Sequence, residues 1–160
     1  MSTPPKADPA IYPKLREHAL LHVRLNNLPD DSVHSVVMDW RVGNGTTTVL
    51  AAADGTASVY LSSGGGYLGG GQKYPAMRNA ALEAVRLATG LFPQFKPTES
   101  LDLPTTGEVF FYLTTSKDVR LAVTQEADLR TGQGSFASLG GMMQAIITLD
   151  RRNSESPTTP

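Results

Sequence analysis

From Val36 to Val42, apolar and mixed positions alternate, with Val36, Met38, Trp40 and Val42 on one side and Val37, Asp39 and Arg41 on the other. That is the period of a half-buried strand. After Asn44-Gly45 the alternation resumes with Thr47, Val49, Ala51 and Ala53, and after Asp54-Gly55 with Ala57, Val59 and Leu61. Asn-Gly and Asp-Gly tolerate the positive φ of tight primed turns, so each is expected to reverse the chain. Residues 33–63 are therefore predicted to form a three-stranded antiparallel meander. Val109, Phe111 and Leu113 alternate with Phe110 and Tyr112, a polar stretch Thr114–Asp118 intervenes, and Val119, Leu121 and Val123 alternate with Arg120 and Ala122. This pattern predicts a hairpin whose first strand is apolar on both sides.

Three segments have helical spacing instead. Ile11, Leu15, Ala19, Leu20 and Val23 predict a helix over 9–25, started by Asp8 and Pro9 and ended by Asn26, Asn27 and Pro29. Met77, Ala81, Ala84, Val85 and Ala88 predict a second helix from Pro75, with Gly90 as a left-handed closing residue. Phe136, Leu139, Met143, Ile146 and Ile147 predict a third over 136–152, with Ser135 as candidate cap and Gly140-Gly141 as a weak point. Pro93, Pro97 and Pro104 make 92–107 an irregular connection.

The expected class is α+β, a single domain over 9–152 with a five-stranded antiparallel sheet and about three helices. The proline-rich start, 1–8, and the polar end, 153–160, are expected to be disordered. This order of elements resembles the small α/β/α domains of the profilin, roadblock and longin kind, although roadblock domains divide their strands two and three about the middle helix instead of three and two. The resemblance is one of topology over 9–152, and no family motif carries residues across. It implies a dimerising or protein-docking module.

Composition narrows the chemistry. With 14 Lys and Arg against 15 Asp and Glu, the net charge of -1 offers no field for nucleic acid or anionic lipid. The absence of cysteine removes thiolate chemistry and disulfides. No apolar run approaches the roughly 20 residues that span a bilayer, and the start lacks a signal pattern, so the expected location is cytoplasmic with no membrane partner.

The unusual local feature is the glycine run. Gly64, Gly65, Gly66, Tyr67, Leu68, Gly69, Gly70, Gly71, Gln72 and Lys73 form a candidate ligand-binding or docking loop. Its amides and the start of the next helix, with Lys73 and Arg78, could hold an anion, while Tyr67 and Leu68 could serve as an apolar tip. Gln72 and Tyr74 around Lys73 break the phosphate-loop pattern, and no parallel βαβ context supports a dinucleotide site.

His18 and His22 stand one helical turn apart, and His34 or Asp39 would be needed to complete a metal site; none is assigned. Asp39 is read as lying on the polar side of its strand, Asp54 as a turn residue and Asp150 as a helix-end residue beside Arg151, so no catalytic carboxylate pair emerges. Gly134-Ser135-Phe136 lacks the strand that a nucleophile elbow requires. Trp40, Phe110, Tyr112, Phe136, Met142 and Met143 are read as core. The expected function is noncatalytic protein association, with a homodimer as the expected partner arrangement and no cofactor. An anion or nucleotide sensor built on 64–73 is the alternative, and an unrecognised hydrolase the third reading.

Overall fold

A computed structural model of the protein describes residues 9–26, 28, 29, 31–64, 66, 67 and 74–155. After a single 3-10 turn at Pro9–Ile11 come α1 (Tyr12–Leu21), β1 (Ser35–Val42), β2 (Gly45–Ala52), β3 (Ala57–Leu61) and β4 (Gly66–Tyr67). The chain continues through α2 (Pro75–Gly90), β5 (Lys96–Pro97), β6 (Glu108–Thr114), β7 (Val119–Gln125), α3 (Glu126–Thr131) and α4 (Ala137–Glu155). The seven strands form one antiparallel sheet in the order β4-β3-β2-β1-β6-β7-β5. The α+β architecture, the meander and the hairpin are as the alternation predicts. The two strands beyond the expected five are two-residue edge segments, too short to leave a periodic signal.

Long β1 lies in the middle of the sheet and is buried on both faces. Val36, Met38 and Trp40 face a core shared with Val49, Val59, Phe111 and Leu113, roofed by Met77, Ala81 and Ala84 of α2 and Leu139, Met143 and Ile146 of α4. The alanines of α2 let its backbone lie close to the sheet. Val37 on the opposite face joins Leu50, Tyr60 and Tyr112 under α1, which contributes Tyr12, Ala19 and Leu20.

Several local expectations shift. The first reversal uses Gly43-Asn44, since Val42 pairs with Gly45, and the positive φ of +60° falls on Gly43. The second is a four-residue loop between Ala52 and Ala57, in which the Thr56 amide donates to Asp54 Oδ1 at 2.9 Å. Helix α1 is shorter than 9–25; Ala19 and Leu20 are buried and Leu15 and Val23 pack against the core as the spacing predicts, while Tyr12 and Arg16 are buried too and Ile11 is exposed. Asp8, its expected start, lies outside the described residues. Gly90 remains helical, and the chain runs on through Leu91 into a 3-10 turn at Phe92–Gln94. Helix α4 passes through Gly140 and Gly141 and ends at Glu155, three residues beyond the predicted end.

Candidate functional site

The most elaborate side-chain chemistry lies between α1 and the sheet. Asp39, expected on the polar side of β1, is instead fully buried, because α1 covers that face. Its Oδ2 accepts Arg16 Nε at 3.0 Å and Nη2 at 2.8 Å, and its Oδ1 accepts the Thr48 hydroxyl at 2.5 Å. Thr48 has spent its only proton on Asp39, so it accepts from Tyr12, whose hydroxyl lies 2.6 Å away. Arg16 also donates to the carbonyls of Leu101 at 2.7 Å and Asp102 at 3.0 Å, and Tyr112 donates to the same Asp102 carbonyl. Its guanidinium sits 5.6 Å from the centre of the Tyr112 ring.

Burial pushes the Asp39 carboxyl above the ordinary aspartate range, opposed by Arg16 and Thr48. Burial likewise raises Tyr12 and Tyr112 to about 12, so both phenols stay protonated and serve as donors. The Arg16–Asp39 pair, closed from solvent with its hydrogen bonds directed inward, docks α1 and the 101–102 loop onto the sheet; a substrate has no approach to Asp39.

The other expected site residues are not drawn into one place. Of the glycine loop, Gly64 and the backbone of Gly66–Tyr67 are described, the latter pairing as β4 with Val59 and Tyr60. Gly65 and residues 68–73, Lys73 among them, lie outside the described residues. Arg78, expected to assist that loop, instead donates from Nη1 to the Asp54 carbonyl at 2.8 Å and braces the β2–β3 turn. His18 and His22 are adjacent, their ring centres 5.6 Å apart, but no group of three metal-ligating side chains forms among the described residues. His34 is buried elsewhere, accepting the Leu25 amide at Nδ1 at 2.8 Å. Burial and then nearby Arg24 hold its pKa below the ordinary histidine value. Asp150 is raised by burial, and Ser135 is exposed ahead of α4.

A more accessible feature runs along β7. The amide of Thr98 donates to the Val119 carbonyl at 2.9 Å, so the odd-numbered residues of β7 turn their backbone groups outward. Strand β5 covers Leu121, paired with Lys96, and there the neighbouring chain turns away at Phe92–Gln94. The outward N–H and C=O of Val123 face no strand among the described residues, and beyond it the Gln125 carbonyl opens α3. The Val123 side chain is 47% exposed, and its cross-strand partner Phe110 is only partly buried. Beside this edge lies a groove of about 350 Å³ lined by Gln94, Lys96, Thr98 and Leu121. Alternation in the sequence signals the apolar strand but not which half of its edge stays open.

No known protein family matches the chain, and no curated protein or solved structure is significantly similar to it. No helix among the described residues is long and apolar enough to cross a membrane.

Proposed function

We propose that this chain is a noncatalytic association domain that pairs with a second copy of itself along the open half of β7. The observation that carries the reading is Val123, where an unpaired backbone donor and acceptor coincide with a half-exposed apolar side chain. Such an edge is a template for another strand unless something blunts it. Lys96 and Pro97, residues typical of protected edges, blunt it at Arg120–Leu121 and leave Val123 open, before α3 takes up the carbonyl of Gln125. The strand itself supplies the occupant: antiparallel pairing of β7 with its own copy is isologous, so each protomer offers the same groups to the other and the assembly closes as a dimer.

A few backbone hydrogen bonds fall short of the roughly 1,200 Å² that specific interfaces bury. The groove beside Lys96 and the Phe110–Val123 strip supply the adjoining surface. The buried carboxylate at Asp39 supports the noncatalytic part of the reading, because its hydrogen bonds are used in docking α1. Sedimentation velocity from about 1 to 200 μM, spanning typical weak-dimer affinities, tests it. The wild type is expected to dimerise and Val123→Lys to sediment as a monomer with an unchanged far-ultraviolet spectrum. A wild type that remains a strict monomer at tens of micromolar, or a dimer insensitive to Val123→Lys, overturns it.

A further inference from the structure

A cavity of about 460 Å³ opens where α3 and α4 meet the turn end of β1 and β2. Its size lies in the range of small-molecule sites. Leu129, Ile147 and Trp40 supply its apolar lining and Arg130, Arg151 and Gln144 its polar lining, with Gln144, Ile147 and Arg151 together on one face of α4. The floor includes Gly141, where an added Cβ would meet no atom within 4 Å, so helix packing gives no reason for a glycine and bare backbone faces the space.

Arg130 is linked to Trp40 through a shared carboxylate. Glu126 Oε1 accepts the Trp40 indole N–H at 2.8 Å and also Arg130 Nη2 at 2.7 Å and Nε at 3.2 Å. One carboxylate thus joins the buried indole to a guanidinium that is 67% exposed, its carbon 5.7 Å from the centre of the Trp40 ring. Two of the five Arg130 N–H groups are used, leaving three. Among the described residues no carboxylate lines the cavity, whose charged side chains are Arg130 and Arg151.

We infer that this cavity binds a small amphipathic carboxylate, its charged end on Arg130 and Arg151 and its apolar body against Trp40, Leu129 and Ile147. Two guanidiniums, one of them shared with Glu126, match a single carboxylate; a polyphosphate would need further cations or a cradle of backbone amides. The site lies apart from the β7 edge and does not depend on pairing there.

Trp40 is the single tryptophan, so its fluorescence reports on the cavity alone. Octanoate is the probe, with octanol and acetate as controls for charge and body. Octanoate is expected to shift the emission saturably, octanol and acetate far less, and Arg151→Ala to weaken octanoate by about tenfold, as loss of one charge-assisted contact does. Gly141→Leu, at an open helical position, is expected to fill the cavity and abolish the response while the circular dichroism spectrum is kept; Val123→Lys is expected to bind as the wild type does. The inference is overturned if octanoate gives no saturable shift, if octanol or acetate binds as tightly, or if folded Gly141→Leu binds unchanged.

Discussion

Replacing Arg16 with methionine keeps an apolar stem about as long as the arginine's methylene chain and removes the guanidinium. Asp39, fully buried, would lose both hydrogen bonds to Oδ2 and keep only that from Thr48. Removing one partner of a buried ion pair costs about 3–5 kcal/mol, chiefly because the other charge is stranded. The carbonyls of Leu101 and Asp102 lie closer to solvent, so water can replace their donors and adds little to this. For a domain of this size the penalty corresponds to a fall of roughly 6–20 °C in Tm.

The double variant Arg16→Met with Asp39→Leu removes both charges, leaving Thr48 without its acceptor at a cost of about 1–2 kcal/mol. It is therefore expected to be more stable than Arg16→Met alone, with a coupling of about 2 kcal/mol or more in a double-mutant cycle of urea midpoints. The pH dependence has a definite sign. Losing Arg16 removes the larger part of what opposes burial and leaves only Thr48, so Asp39 in the folded variant titrates still further above its unfolded value. The penalty is complete above that folded value and disappears as pH falls toward the ordinary aspartate range. Single variants whose effects simply add, or an Arg16→Met penalty below about 1 kcal/mol at neutral pH, would refute the account of the pair.

At adjacent glycines of α4 the same substitution should behave differently. Gly141→Ala meets open space and is expected to gain about 1 kcal/mol of helix propensity, whereas the Cβ of Gly140→Ala would lie 2.8 Å from Leu129 Cδ2 and must displace it, cancelling some or all of that gain. Thermal melts of the two variants side by side check the order. His34 is held below the ordinary histidine pKa by burial and by Arg24. Its contribution is therefore complete above the unfolded value of about 6.5 and is lost as pH falls through the depressed folded one. His34→Asn keeps an acceptor for the Leu25 amide but cannot titrate, so its urea midpoint should fall less than that of the wild type between about pH 7.5 and 5; equal slopes would dismiss His34 as the titrating group.

The sheet was readable because alternation over six to eight residues is a strong signal in each long strand, and the apolar stripe of α2 was read residue by residue. On α1 the apolar spacing finds Leu15, Ala19, Leu20 and Val23 but misses Tyr12 and Arg16, because it passes over a charged residue in a buried position. The combination of a buried-stripe arginine with Asp39 inside an apolar strand is the signal that could have been found. Six-residue α3 and the two-residue edge strands are set by what they pack against. The cavity joins residues 40–47 to 129–151, a juxtaposition created by the fold and invisible to local spacing.

The first reversal shows what decides a register when hydrophobic pattern cannot. A turn at Asn44-Gly45 and one at Gly43-Asn44 differ by two residues in pairing, and a two-residue shift leaves every side chain on its original face. Apolar burial is therefore nearly indifferent between them. In the register that forms, Asp39 stands opposite Thr48, whose hydroxyl it accepts, and Trp40 stands opposite Thr47 at the cavity mouth. In the alternative Asp39 would stand opposite Leu50 and lose that donor, leaving Arg16 alone to compensate a fully buried charge. Glycine at 43 also takes the positive φ without a Cβ penalty, which makes the two-residue reversal ending at Gly45 accessible. The buried carboxylate thus discriminates between registers that the oily residues treat alike, and its value lies in that difference more than in net stability. The apolar double variant separates the two contributions: its denaturation midpoint measures the pair's net stabilisation, and its amide cross-strand contacts show whether Gly43 alone still holds Val42 opposite Gly45.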